Sequence, residues 1–430
     1  MAEEELPEAV EVEEDELPGL VGFIKSKFLD AETGRLSDER RWLTAYKNYR
    51  GIYDTASTYR SSEKSKVFVR ITKVKVLASF GQISDILFAN NKFPITVSNT
   101  PIPEGIAEFA HLATPEEQMM MDQAGNVPLA QLDEFLGGLK EKYAAAQNLK
   151  EGPSVIPGSP QIEPAAIAAR NMEKQIHDQL LDTNATNVLR HAIFESSLLG
   201  TGIIKGPFNF DKIVHNWKIE DGEKVFEPYV KTVPKIEAVS CWNFYPDPSA
   251  TNIEDAEYVI QRHRYNREQL RELANRPFFN EDAIESALEN GPQYEERYFE
   301  NTIYSENEDP LYSESRYEVF EYWGTLDLYL AREIDLELPD NITHMDSVQI
   351  NAWIVNNKVI RCVLNPFVPA RLPFHAFPYE LNPYQFFGVG VAENMEDAQL
   401  LMNGHMRMAI DNLALAGNMV FDIDETQLVP

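Results

Sequence analysis

Near its C-terminus the chain places three carboxylates in four positions, Asp422-Ile423-Asp424-Glu425. Carboxylate oxygens so close together are the ligands a hard divalent cation takes. A metal held there could activate water for hydrolysis of a phosphodiester, so a metal-dependent hydrolase or nuclease is one function these residues suggest. Glu295-Glu296 is the residue type of a glycosidase acid and nucleophile. Both signals are diluted by a chain with 69 acidic residues, in which an acidic strand edge beyond a helix is the commoner meaning. Other catalytic patterns are missing. No G-x-x-x-x-G-K-[ST] phosphate loop occurs, and Gly388-Val389-Gly390 lacks the third glycine of a dinucleotide cradle. Neither H-E-x-x-H nor paired C-x-x-C is present for zinc, and there is no G-x-S-x-G elbow. The eight histidines are scattered, with His191 and His405 inside predicted helices. The residues therefore assign no catalytic group, no cofactor and no metal ligand.

Charge says more. The net charge is −31, and nine acids with no base fall in residues 1–16, so the remainder still carries −31 + 9 = −22. Tight nucleic-acid binding needs Lys and Arg to displace counterions; an acidic wall instead repels phosphate and leaves DNA mobile. One stretch runs the other way. Lys25 to Lys75 holds 13 bases against six acids, a local +7. Within it Arg40, Arg41, Lys64, Lys66, Lys73 and Lys75 are candidates for a contact with a nucleic acid or an acidic neighbouring protein, weighed against a merely solvated helix face.

The apolar and charged fractions, 43% and 25%, are those of a globular chain. No apolar run reaches the roughly 18 residues that span a bilayer, and the acidic N-terminus lacks the basic start of a signal peptide. Cys241 and Cys362 suit a reducing compartment, and the sequons at Asn184 and Asn341 carry no meaning without secretion.

The elements follow from periodicity. Residues 1–17 read as a disordered acidic tail. Helices are expected at 19–29 and 38–53, the second capped by Ser37, and at 70–90, followed by a strand at 93–97. Residues 99–164 hold Met119-Met120-Met121 and Gly137-Gly138 and read as a flexible surface insertion with a helix near 129–147. Helices at 162–181 and 187–199 precede Leu198-Leu199-Gly200-Thr201-Gly202, a sharp turn into strand. Strands are expected at 212–219 and 224–233 around a hairpin at Asp221-Gly222, then at 235–244, 256–263, 317–330, 347–355 and 358–364. Short helices fall at 266–275 and 281–289, a loop at 293–315, and an irregular approach at 366–383. The fold class is α+β, an antiparallel sheet flanked by helices.

All of this leads into Phe386 to Val420, read as one long helix. Met395, Ala398, Met402, Met406, Ala409, Leu413 and Ala416 recur at spacings of three and four, so they share a face that packs against another helix. Glu396, Gln399, Asn403, Arg407 and Asp411 fall on other faces. Asn394 can cap the start, Gly417-Asn418 can end it, and Gly404 allows a bend or a close neighbour.

The segment PFHAFPYELNPYQFFGVGVAENMEDAQLLMNGHMRMAIDNLALAGN resembles the entry into the stem of portal proteins, the head-to-tail connectors of tailed double-stranded DNA bacteriophages, podovirus-like in type. WNFYPDPSATNIEDAEYVIQRHRYNREQLREL, residues 242–273, is similar to the run that closes that family's wing sheet. With 67–97 and 185–207, the resemblance covers most of the chain from about residue 35, in the family's order. It implies a wing domain over 18–385, a first stem helix over 386–418 and the start of a clip at 419–430. The family continues beyond the point where this sequence stops into a clip, a second stem helix, a tunnel loop and a crown, so the sequence is either a fragment or one whose remainder is absent or supplied separately. Terminase docking, normally a clip property, falls on no residue here. It implies a ring, usually of twelve copies, at one capsid vertex of the virion, assembled in the host cytoplasm. Through the ring DNA is packaged and ejected, and it passes without specific binding. The implied partners are the major capsid and scaffolding proteins, the terminase large subunit and tail adaptor proteins; no membrane and no enzyme activity are implied. Met395, Gln399, Met402, Asn403, Met406, Arg407 and Asp411 would then lie at subunit contacts or near the channel.

Overall fold

The computed structural model describes residues 19–53, 65–88, 93, 95–98, 164–215, 217–220, 223–226, 228–304, 316–334, 336 and 347–418. The acidic tail, Lys64, the insertion helix near 129–147 with its methionine run, Asp422 to Glu425 and the expected clip start lie outside them. Two compact units are formed, one by residues 1–86 with 184–430, the other by 87–183. The fold is α+β, as expected.

The first unit is built on two antiparallel sheets. Strands β1 (Thr201–Val214), β4 (Tyr229–Val239) and β10 (Phe374–Pro378) make one, in the order β10-β1-β4. Strands β5 (Phe244–Pro246), β6 (Tyr258–Tyr265), β7 (Tyr317–Asp327), β8 (Ser347–Val355) and β9 (Lys358–Leu364) make the other, paired in sequence order. The hairpin β2 (Trp217–Glu220) and β3 (Glu223–Phe226) extends the β1–β4 ribbon in the same register, since Val214 faces Tyr229 and Trp217 faces Phe226. Glu220 pairs with Glu223 on either side of the expected hairpin centre, whose residues 221–222 lie outside the described residues, and the ribbon is longer than sequence suggested and begins at Thr201.

Alternation along the five-stranded sheet gives it two apolar faces. Helix α1 (Gly19–Gly34) covers one, setting Leu20, Ile24 and Phe28 on Tyr258, Ile260, Phe320, Tyr322, Ile350 and Ile354. Against the other lie α6 (Arg267–Ala274) and α7 (Glu281–Glu289), packed on Val319, Trp353, Val355 and Ile360. Both helices begin as their residue types dictate. Asn266 and Gln269 form a capping box, and Asn280 accepts from the Ala283 N–H. A third cluster joins α2 (Leu36–Arg50), α3 (Ile71–Phe88) and α5 (Ala185–Leu199) to both sheets through Trp42, Val76, Leu198, Ile203, Trp242, Phe244, Trp323 and Phe387.

Buried charges fix the joints. Lys205 of β1 reaches Glu321 of β7 at 2.5 Å, which also meets His263 Nε2 at 2.8 Å and accepts from Trp323 Nε1 at 2.7 Å. Burial by itself raises the Glu321 carboxyl; Lys205 and His263 outweigh that and hold it well below the ordinary range. Arg35, at the junction of α1 and α2, donates to Glu39, to the carbonyls of Cys241, Trp242 and Phe244, and stacks on Tyr245 at 3.7 Å. That role explains two corrections. Ser37 is not the cap of α2, because α1 runs on to Gly34 and Arg35 is the hinge between the helices.

Other expectations are corrected as well. Tyr317 onward leaves the sheet at Asp327, and Leu328–Glu333 is helix α9. The 366–383 approach contains β10, whose pairing with β1 supplies the long-range partner that periodicity misses. The 293–315 stretch contains the short helix α8, Glu300–Tyr304. In the second unit, whose described helix is α4 (Pro164–Asp182), no strand forms at Phe93 or 95–97. Pro94 removes a ladder donor there, and the Phe93 ring is buried against Phe88 and His177 instead.

Candidate functional site

Two glycine turns noted separately in the sequence meet in the structure and set the entry to the C-terminal helix. Gly200 ends α5 with φ +101°. A Cβ there would lie 2.3 Å from the Gly388 carbonyl oxygen, and one on Gly390 would lie 2.6 Å from the Leu198 carbonyl. The Gly388 N–H donates to Thr201 Oγ1 at 2.9 Å, and the Tyr379 N–H to the Gly200 carbonyl at 2.8 Å. Two backbones cross here at a distance only glycine permits.

From this crossing the chain enters α10 (Val391–Asn394), breaks at Met395, and continues as α11 (Glu396–Gly417). The expected single helix is thus two. Asn394 does not cap α11; its amide donates to Glu380 Oε2 at 2.7 Å. Arg41 of α2 braces the break, bridging Asp38 and Glu393 at 2.5 and 3.1 Å.

Helix α11 is inverted. Gln399, Asn403 and Arg407 are 1%, 4% and 3% exposed. Spaced four apart with Asp411, they form one ladder along the extended segment 65–70 and the first turn of α3. Gln399 Oε1 accepts from the Thr72 N–H at 3.1 Å and its Oγ1 at 2.9 Å, while its amide donates to the Val69 carbonyl. Asn403 Oδ1 accepts from the Val69 N–H and from Gln399 Nε2, at 2.9 and 3.0 Å. Asp411 Oδ1 accepts from the Ser65 N–H at 2.9 Å. Arg407 donates to the Asn403 carbonyl and lies 5.2 Å from the Tyr53 ring centre. The side chains of α11 therefore serve as the missing strand partner of 65–72, which explains how a segment with no ladder of its own is held.

The expected packing face looks outward. Leu400, Leu401, Met402, Met406, Met408, Leu413 and Leu415 are between 39% and 71% exposed. Leu400 lies beside the polar ladder at the α2 cleft; at about 100° per residue the other six form two stripes. Leu401, Gly404, Met408 and Leu415 lie on one flank of the polar ladder, and Met395, Met402, Met406 and Leu413 on the other. The sequence reading paired the Met stripe with burial because apolar faces usually turn inward. What it missed was the four-residue repeat Gln399-Asn403-Arg407-Asp411, which was visible as a polar stripe but has its partners more than 300 positions away.

The basic candidates divide. Arg41 is engaged within the chain, Arg40 is exposed on α2, and Lys64 lies outside the described residues. Lys66 and Lys75 are exposed, and Lys73 sits 5.7 Å over the Tyr49 ring. A cleft of about 280 Å³ between α2 and α11 is lined by Lys47, Tyr53, Glu396, Asp397, Gln399 and Arg407. Glu295 of the acidic pair is tied to Arg297 at 2.8 Å. Among the described residues no group of three or more His, Cys, Asp or Glu is placed to hold a metal ion. None of their helices is long and apolar enough to cross a membrane.

One further carboxylate was not singled out. Glu195 of α5 accepts from Ser240 Oγ at 2.5 Å and the Cys241 N–H at 3.2 Å. Burial raises it to about 7 against the pull of those two donors.

A family model described as phage SU10 portal protein matches residues 161–428, more than half of the chain, including every strand among the described residues. No curated protein matches the sequence.

Proposed function

From the premise that this chain belongs to the phage SU10 portal protein family, a structural family whose place is the virion capsid, we propose that it is the subunit of a ring at one capsid vertex. The ring is the conduit for DNA packaging and ejection. In this reading residues 18–385 are the wing, with 99–164 an insertion, residues 386–418 are the first stem helix, and 419–430 enter the clip. Twelve copies is the number the family resemblance suggests. The terminase large subunit, tail adaptors, and the capsid and scaffolding proteins are the partners.

The observation that carries the reading is the inversion of α11. A helix of 22 residues, about 33 Å long, satisfies its polar face inside its own chain and turns seven large apolar side chains to solvent. A monomer gains nothing from that arrangement, and contiguous exposed apolar surface marks a contact. The two stripes stand roughly 140° apart at about 100° per residue. A closed ring uses head-to-tail contacts between two different surfaces, and the two flanks supply them. This keeps Met395, Met402 and Met406 in the proposed subunit contact and adds their opposite flank. Gln399, Asn403, Arg407 and Asp411 become the supports that hold the helix on its own subunit.

Light scattering on the purified full chain, with electron microscopy, tests the proposal. A particle of many copies around an open axis is expected, and Met402→Asp with Met406→Asp should reduce it to monomers without lowering the melting temperature. A wild-type chain that stays a compact monomer at micromolar concentration would overturn it.

A further inference from the structure

Helix α3 carries a second unpartnered surface. Thr72, Val76 and Ser84 face inward. Val74, Leu77, Ala78 and Gly81, at spacings of three and four, share the opposite side. Val74 is 64% exposed and Leu77 43%, and Val67 in the preceding segment is 42% exposed. Nothing lies within 4 Å of where a Gly81 Cβ would stand. This glycine costs the helix about 1 kcal/mol against alanine, and no close approach among the described residues requires it. Lys66, Arg70 and Lys75 are exposed around the stripe, and neither Lys66 nor Lys75 has an ion-pair partner among the described residues.

We propose that this basic-rimmed apolar stripe is a second contact between copies of the chain, separate from α11, and that it docks on an acidic surface of the neighbouring copy. Two features choose the occupant. Duplex DNA would use the cations and leave the apolar ridge exposed, whereas a protein surface uses both. A second copy is also the acidic partner at hand: residues 65–88 hold Lys66, Arg70, Lys73 and Lys75 against Asp85, a balance of +3, so the rest of each chain carries −31 − 3 = −34. A basic stripe on a chain whose remainder is strongly acidic favours head-to-tail association and disfavours pairing of two such stripes. The inference rests on the ring reading and adds to it a contact in the body of the subunit.

The test uses the full chain with Val74→Asp and Leu77→Asp. Both positions are solvent-facing, so circular dichroism melting should stay that of the unsubstituted protein. The expected result is loss of the ring, with the dissociation constant for assembly raised at least about tenfold. In a second measurement, isotopically labelled and unlabelled copies are mixed and treated with a carbodiimide, which joins amines to carboxylates in contact. Links from Lys66 or Lys75 to a carboxylate of the other isotope are expected. A ring of unchanged mass in the double variant, or links confined to one isotope, overturns the inference while leaving the ring itself standing. An unsubstituted chain that forms no ring removes both readings together.

Discussion

Gln399 shows what one residue does in this molecule. Its side chain accepts two hydrogen bonds from Thr72 and donates to Val69 and Asn403, in a setting 1% exposed. Gln399→Met keeps the shape and removes all of these. A buried N–H and carbonyl then lose their partners, at about 1–3 kcal/mol. The segment 65–70 should detach before the body unfolds, so trypsin should cut after Lys66 and Arg70 faster than in the unsubstituted chain, with little change in the main melting transition. Equal cleavage rates would show that the ladder is not what holds the segment. Glu195 sets a different test. Its carboxyl is raised to about 7 by burial, against donors at Ser240 and Cys241. A carboxylate raised in the folded state binds protons more tightly there than in the unfolded chain. Its contribution is complete below the ordinary carboxylate range and is lost as pH rises through about 7. Glu195→Gln keeps an acceptor and cannot ionise, and the Ser240 hydroxyl can turn to accept from the new amide. The variant should match the parent near pH 4 and exceed it by about 1–3 kcal/mol at pH 8. Melting curves at the two pH values decide it.

At the scale of elements, the glycines separate into two kinds. Gly200 stands at φ +101° with the Gly388 carbonyl where a Cβ would go, and both atoms in conflict are backbone. Gly200→Ala should cost about 4 kcal/mol or more and abolish soluble expression. Gly404 and Gly81 sit mid-helix with open space around them. Gly404→Ala should stabilise the isolated chain by up to about 1 kcal/mol and weaken assembly where a neighbour approaches closely. The contrast also marks what was legible in the sequence. Helices at 71–88 and 185–199, strands at 347–355 and 358–364, and the hairpin centre at 221–222 were readable because each depends on neighbours along the chain. That both glycine turns served backbone geometry was readable too. That they serve each other was not, since 188 positions separate Gly200 from Gly388 and only the fold brings them together. The break at Met395 was hidden for the same reason: α10 is held by Arg41 and the glycine crossing, neither of which leaves a mark on helical periodicity. Which face of α11 its own chain covers was not legible, because apolar periodicity fixes a helix's stripe but not whether its own chain or another covers it.

At the scale of the molecule, charge sets how copies can meet. Each chain carries −31, so copies brought together repel over the Debye length, about 30 Å at 0.01 M salt and about 8 Å at 0.15 M. Raising sodium chloride over that range removes the long-range repulsion and should strengthen assembly. The proposed contact of the α3 rim, Lys66, Arg70 and Lys75, with an acidic neighbour acts at a few ångströms and survives at 0.15 M. It weakens only towards 1 M, where the Debye length falls to about 3 Å. Assembly measured by sedimentation velocity should therefore pass through an optimum between 0.01 M and 1 M salt. Replacing Lys66 and Lys75 by Glu removes the short-range attraction and leaves the repulsion. In that variant the high-salt decline should disappear, and assembly should rise with salt throughout. A parent protein whose assembly already rises monotonically to 1 M would show that apolar burial on α11 acts without the charged contact. The same acidity bears on the DNA that such a ring would carry. A passage lined by net negative charge would release few counterions on contact with duplex, so any retention at 0.15 M salt should be weaker than the roughly 10⁻⁴ to 10⁻⁶ M of ordinary non-specific binders, leaving the polymer free to slide.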